Sequence, residues 1–475
     1  MLSIFSIWLL AMPLNNKQIN NKKIIAALLF AVFAAYANTL LWGVFQFDDY
    51  NIIVNNPVVH SWQAWWADIG HGIRPLLKLS YTLDWTLGGW AWGRRETGFH
   101  FTNLLIHGSN TVLVWFLTVG YLRQSNKLAS SNPLASTLLI STVTALLFAM
   151  HPIHTEAVTY ISGRSASLMT LFYLGGILCY MTGLQKQSRF YLHVATPILF
   201  IAALAVKEVA ITFPLALMLI HAARGDQWRA SITRAWSSWL VFIAAIIFFL
   251  LHASYSPHLA RSLAAHDGWS NLVVQTNAVF YLLGQWFCPL WLNIDPDLST
   301  FNTISKLKLG LISAIFIAYL VLTKKLNQRP WLSFALGWVV INLFLVYLIT
   351  PRLDIANERQ LYLISWPLLM ALVTEMTILL TSRQLIMVSI VLLIAASTLT
   401  IMRNSDYSSE VALWQATVKL SPNKSRVHNN LGYAYFLAGQ TDKARKYYLQ
   451  ALVLDKQNFK ARYNLEVLDS ARVSL

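Results

Sequence analysis

Residues 24–50 read IIAALLFAVFAAYANTLLWGVFQFDDY. The uncharged run 24–45 would extend about 33 Å as an α-helix, enough to cross the roughly 30 Å hydrocarbon core of a bilayer. Two adjacent carboxylates, Asp48 and Asp49, follow at once. Neighbouring anions repel, and a low-dielectric boundary makes both costly to ionise. Asp, Asn and Pro are also ordinary punctuation after a helix, so the rest of the chain decides between a turn and a site.

Of 475 residues, 56% are hydrophobic and 12% charged, about half the charge of a soluble globular chain. The expected fold class is all-α, a polytopic transmembrane helical bundle. Nineteen Trp and 19 Tyr supply interfacial anchors. The net charge of +16 lies in short loops between apolar runs. That is positive-inside sorting, not a nucleic-acid surface. Cys179 and Cys288 both sit in apolar stretches, so no disulfide framework and no Cys-based metal site is expected. The opening MLSIFSIWLLAMPLN lacks a leading basic region and a small-residue cleavage site. It reads as an interfacial segment.

Crossings are expected near 24–45, 99–122, 134–150, 163–184, 190–206, 208–222, 236–252, 307–323, 331–350, 361–380 and 385–402. The six short basic segments between them hold 14 Lys or Arg and one acid, Asp226. A further run, 273–292, would force some of those cations outside if it crossed. Read as a helix that dips in from the outer face, it leaves 11 spans, with the N-terminus inside and the C-terminus outside. Two long outer loops result, 46–98 and 253–306. In the first, HSWQAWWADI sets Trp62, Trp65 and Trp66 on one helical face, as in a helix lying along a membrane surface.

After residue 403 the composition turns soluble, dividing the chain into a membrane domain, 1–403, and a C-terminal domain, 404–475. VHNNLGYAYFLAGQTDKARKYYLQALVLD fits the 34-residue tetratricopeptide pattern at Leu431, Gly432, Tyr435, Ala444, Tyr448 and Ala451. ALWQATVKLSP fits the second helix of a preceding repeat, and KARYNLEVLDSARVSL begins another. So few repeats rarely bury a complete core, and docking on the membrane domain is expected. The unit serves either to bind an acceptor or partner, or as a stabilising cap.

HPIHTEAVTYISGRS, 151–165, brings His151, His154, Glu156 and Arg164 to the outer end of a span. Polar groups there hint at function. The histidines suit a hydrogen-bonded helix cap better than zinc, whose ligand spacing they do not match. A permanently charged guanidinium such as Arg164 suits a phosphate. AVKE adds Lys207 and Glu208, the first loop adds Arg74, and ITPRLDIANERQLYL adds Arg352, Glu358, Arg359 and Tyr362. Together Arg74, Arg164, Lys207 and Arg359 form a cationic cradle for an anionic headgroup. His107, inside the second span, reads as a satisfied core histidine.

FQFDDYNIIVNNPVV, RPLLKLSY, FHFTNLLIHG, HPIHTEAVTYISGRSASL, AVKE and NERQLYL, followed by tetratricopeptide repeats, resemble the TMTC proteins, transmembrane O-mannosyltransferases with lumenal repeats. More broadly the chain is similar to the C-type membrane glycosyltransferases of the protein O-mannosyltransferase kind. The resemblance implies a polyprenyl- or dolichyl-phosphate-linked sugar donor and a first-loop Asp as catalytic base. Such a reaction needs a base on the acceptor hydroxyl and cations on the departing phosphate. Asp48 or Asp49 takes the proton, while the other orients it or holds a divalent metal. The expected acceptor is a protein or glycolipid hydroxyl. The expected setting is a bacterial inner membrane with the site and repeats in the periplasm, the endoplasmic reticulum being the alternative. Two other readings stand beside a transferase: a non-catalytic scaffold recruiting partners through its repeats, and an oligosaccharide ligase or polysaccharide-assembly protein.

Overall fold

The computed structural model describes residues 21–92, 94–125, 133–257, 260, 268–298, 329–346 and 355–473. Among them every regular element is helical. The apolar part comprises α1 (Asn21–Trp42), α2 (Trp62–Asp68), α3 (Pro75–Trp92), α4 (Arg95–Ser125), α5 (Pro133–Met150), α6 (Arg164–Lys186) and α7 (Thr196–Val206). It continues through α8 (Phe213–Ala223), α9 (Trp228–Arg234), α10 (Trp236–Leu251), α11 (Gly268–Phe287), α12 (Pro330–Val339), α13 (Ser365–Leu379) and α14 (Ser382–Asp406). The C-terminal unit is α15 (Glu410–Leu420), α16 (Ser425–Leu437), α17 (Thr441–Leu454) and α18 (Phe459–Val473).

Among the described residues four segments are long and apolar enough to cross a membrane: Asn21–Trp42, Arg95–Gln124, Ile161–Lys186 and Ser382–Asp406. Two bent pairs, Ser136–Met150 with Pro152–Val158 at 51° and Trp228–Arg234 with Trp236–Leu251 at 78°, bring the number to six. Among the described residues, length and composition therefore support four to six crossings, against the eleven expected over the whole chain. Tyr191–Val206, Glu208–Ala223, Pro330–Phe344 and Ser365–Leu379 coincide with four expected crossings, but each is a shorter apolar helix of 10–17 residues. Polar turns at Lys207–Glu208 and Glu358–Leu361 bound three of them. The expected crossing 307–323, the N-terminal interfacial segment, Arg352 and residues 258–259, 261–267 and 299–306 of the second outer loop lie outside the described residues. The 273–292 run forms most of α11, which is not among the crossing-length apolar helices.

The interior is sealed by large aromatics. Trp338 and Trp366 meet edge to face at 5.2 Å between ring centroids, an arrangement favoured by the ring quadrupoles. By contrast α14 is only 17% buried over its most apolar stretch, so its apolar flank faces outward. Its start is fixed by a capping box: Thr381 Oγ1 accepts from Gln384 N, and Gln384 Oε1 accepts from Thr381 N at 3.0 Å.

The 46–98 segment is more than a surface loop. It carries the expected tryptophan helix, α2, and also α3, an 18-residue helix that buries Tyr81 and Thr82. The C-terminal unit is docked as expected. Tyr160 and Ile294 share one buried cluster with Trp414, Val427 and Leu431. Asp295 is gripped by Lys424 Nζ at 2.6 Å and Arg426 Nε at 2.8 Å. Within the repeat, a Cβ at Gly432 would sit 2.7 Å from the Tyr448 ring. Only glycine lets α16 and α17 pack that closely.

Candidate functional site

Asp48 and Asp49 lie just beyond α1, and their environments differ. Asp49 is fully buried. One of its oxygens accepts from Gln46 N at 3.0 Å, and the other from Ser162 N at 2.8 Å and from the Ser162 hydroxyl. Burial pushes its carboxyl up to about 7 against those hydrogen bonds, and the neighbouring Asp48 adds to the rise. Asp48 is half-buried, and its backbone N–H donates to Tyr160 Oη at 2.9 Å. The phenol of Tyr160 stands within the electrostatic fields of Asp49, Asp48 and Arg359 together. Tyr81, on α3, feels Arg164, Asp49, Arg359 and Arg74. The 156–162 turn thus contacts Asp48 and Asp49 through Tyr160 and Ser162, and Arg359 through Glu156.

Arg164 is placed differently from the phosphate ligand expected of it. Its side chain is wholly buried and ion-paired with Asp84 at 2.6 Å. Nε donates to Asn103 Oδ1 at 2.6 Å, Nη1 to Ser80 O at 3.1 Å and Nη2 to Phe99 O at 2.9 Å. The guanidinium also lies over the Tyr81 and Phe99 rings. A guanidinium whose donors are spent this way ties α6 to α3 and α4. Arg74 is likewise engaged: Nε and Nη2 donate to the two oxygens of Glu208, each at 2.9 Å. This fork joins the first loop to the turn between α7 and α8.

The 151–165 stretch makes compact turns: Pro152 cannot continue α5, and the chain re-enters as α6 after Gly163. A Cβ at Gly163 would lie 1.8 Å from the Glu156 carbonyl, so this close approach requires glycine. The histidines act as caps and braces, as the sequence predicts. His151 Nδ1 accepts from Ile153 N at 3.2 Å, and His154 bridges Phe148 O and Ser365 Oγ, both at 2.9 Å. His107 is satisfied in the core, 2.6 Å from Tyr362 Oη and 3.1 Å from Ala149 O. Tyr362 also accepts from Asn110 Nδ2 at 3.2 Å and so belongs to this internal network.

Glu156 holds Arg359 twice. One oxygen accepts from the Arg359 backbone N–H at 2.9 Å, and the other lies 3.4 Å from Nε. Glu358 is fully buried 3.5 Å from Arg403. Burial raises its carboxyl to about 7, opposed by Arg403 and helped by Glu156. Lys207 and Arg359 line one pocket with Ala166, Thr170, Asn342 and Gln360. Both polar atoms of the Gln360 side chain are shielded from solvent and find no hydrogen-bond partner among the described residues. Two cations on one small cavity of about 20 Å³ suit a small anionic group. Among the described residues no three His, Cys, Asp or Glu side chains are grouped to hold a metal.

Sequence reading missed Tyr160, Ser162 and Asp84, which position the charged groups. The signal for Asp84 is the only acid in a largely apolar helix, and it pairs with Arg164 at the start of α6.

A tetratricopeptide repeat is identified at residues 425–458, the span of α16 and α17. The chain is similar to "Protein O-mannosyl-transferase F38B6.6" of Caenorhabditis elegans, 24% identical over 87% of this chain and 60% of that protein. It is 25% identical to "Protein O-mannosyl-transferase TMTC3" of Homo sapiens, over 94% of this chain and 53% of that protein. Against "Protein O-mannosyl-transferase Tmtc2" of Drosophila melanogaster it reaches 35% over 41% of this chain and 21% of that protein. The chain thus spans between half and two thirds of the length of the first two relatives and resembles TMTC-type proteins over most of its own.

Proposed function

We propose that this protein is a membrane glycosyltransferase that moves a sugar from a polyprenyl- or dolichyl-phosphate-linked donor to a hydroxyl acceptor. The carrying observation is that the 156–162 turn holds Asp48 through Tyr160, Asp49 through Ser162 and Arg359 through Glu156, and Arg359 itself lines the pocket containing Lys207. Asp48, half-buried, is the better base. Asp49, buried with both oxygens accepting hydrogen bonds, orients the turn. In the reaction the acceptor oxygen forms the new bond to the anomeric carbon as its proton passes to the Asp48 carboxylate. The bond from that carbon to the phosphate oxygen breaks, and the lipid phosphate departs with the electron pair. Lys207 and Arg359 balance its charge, and Gln360 holds a sugar or phosphate oxygen. Arg164 and Arg74 act behind this, fixing α3 and the first loop.

In this reading all eleven apolar runs cross the membrane, and the site and repeats face its non-cytoplasmic side, where the donor sits after flipping. The membrane is a bacterial inner membrane, and the acceptor is a protein or glycolipid. The test uses purified protein in nanodiscs with polyprenyl-phosphate mannose carrying tritiated mannose and a Ser/Thr peptide mixture. Asp48→Asn abolishes transfer at retained thermal stability; full activity in both Asp48→Asn and Asp49→Asn ends the assignment.

A further inference from the structure

Phe47, the residue before the acid pair, has φ +45°. A bulky aromatic in the left-handed region costs on the order of 1–3 kcal/mol and persists only where its surroundings over-determine it. Here those surroundings come from the far end of the chain. The Phe47 backbone N–H donates to Glu410 Oε1 at 2.7 Å. The Phe47 ring meets Trp414 edge to face at 5.2 Å, and the Gln46 amide donates to Tyr407 O at 2.5 Å. Glu410 and Trp414 both lie on α15, which leads into the repeat. Two further residues on, the hold changes hands: Asp48 and Asp49 bind Tyr160 and Ser162. Residues 46–49 are thus gripped by α15 and its lead-in on one side and by the 160–162 turn on the other.

We propose that Glu410 and Trp414 are positioning residues for the acid pair: α15 clamps Phe47 in its left-handed conformation and thereby aims the Asp48 carboxylate. This rests on the reading of Asp48 as the base, but the clamp itself is measurable without it. Glu410 supplies an acceptor to a backbone donor that no helix pairs, and Trp414 supplies the ring that keeps Phe47 from rotating away. The C-terminal unit is then a working part of the catalytic turn.

Hydrogen exchange on the full-length protein in nanodiscs reads the clamp directly. In Glu410→Ala and Trp414→Ala, amides of residues 46–50 exchange at least tenfold faster, while peptides from α16 and α17 keep their protection. Glu410→Gln retains the acceptor oxygen and exchanges like the unaltered protein. In the mannose-transfer assay, Glu410→Ala lowers kcat about tenfold with donor KM unchanged. Glycine adopts positive φ freely, so in a Phe47→Gly background adding Glu410→Ala changes kcat less than threefold. Unchanged exchange at 46–50 in both alanine variants overturns the clamp whatever the activity. Faster exchange with kcat unchanged, where Asp48→Asn is inactive, overturns the positioning role and leaves the base assignment standing. Faster exchange with full activity in both Asn variants instead fails the base and, with it, the role assigned to the clamp.

Discussion

Arg74 and Glu208, 134 positions apart, are joined by two parallel hydrogen bonds of 2.9 Å. Arg74 adopts φ +54° to make them. A paired guanidinium and carboxylate in this geometry is among the stronger side-chain contacts, though partial exposure on both sides moderates it. In a double-mutant cycle, Arg74→Ala and Glu208→Ala couple by about 1 kcal/mol. Arg74→Lys loses most of that, since an ammonium cannot reproduce the fork. Thermal unfolding in nanodiscs measures the coupling, and additive effects would show the fork to be energetically idle.

Arg164→Ala leaves Asp84 buried without its cation, a loss of about 3–5 kcal/mol for a broken buried pair. The expected outcome is poor folding, with donor KM unchanged in whatever fraction folds. Asp84→Asn together with Arg164→Gln recovers much of the yield by removing both charges. A folded Arg164→Ala protein with strongly raised donor KM would return Arg164 to the phosphate site.

Arg359→Ala acts at the pocket it shares with Lys207. Donor KM rises about tenfold or more with acceptor KM little changed, measured by varying each substrate separately. An equal rise in both would remove Arg359 from the departing phosphate.

Burial pushes the Asp49 carboxyl up to about 7, well above its ordinary value. Because the folded state holds this proton more tightly than the unfolded chain, its stabilising contribution is complete below about pH 4 and is lost as pH rises through 7. Asp49→Asn carries no titrating proton, so its melting temperature falls less than that of the unaltered protein between pH 5 and 8. An undiminished fall would place the titration on another group.

Asp295 holds Lys424 and Arg426 from the loop after α11. Asp295→Ala strands both cations at the docking face. Limited trypsin digestion then cuts near residue 424 at least several-fold faster, while the membrane part melts within a few degrees of the unaltered protein. Unchanged cleavage would mean that the aromatic cluster alone holds the unit.

The apolar runs made the helical class legible, and the tetratricopeptide spacing located α16 and α17 because Gly432, Ala444 and Ala451 are dictated by close packing. The DD loop and the 151–165 stretch stood out because charge at the edge of an apolar run is costly. The partners of those charges were not legible. Arg164 reads as an available cation until Asp84, eighty positions earlier, is brought against it by α3. That helix was itself hidden, since Lys78 and Asp84 lower its apparent hydrophobicity while each finds a counter-ion in the fold. Among the described residues only some of the expected crossings are single long helices, and polar turns such as Lys207–Glu208 divide others into shorter apolar helices. Glu410 gave no signal, because nothing local reveals that its acceptor faces a backbone donor more than three hundred residues away.

Helix α14 runs into α15 through only Tyr407–Ser409, a connection with no slack. A flexible tether would let the repeats sample a wide volume and dilute whatever they hold. Anything the repeats were to bind would be held at a set place on the bundle, its local abundance decided by the architecture rather than by supply from outside.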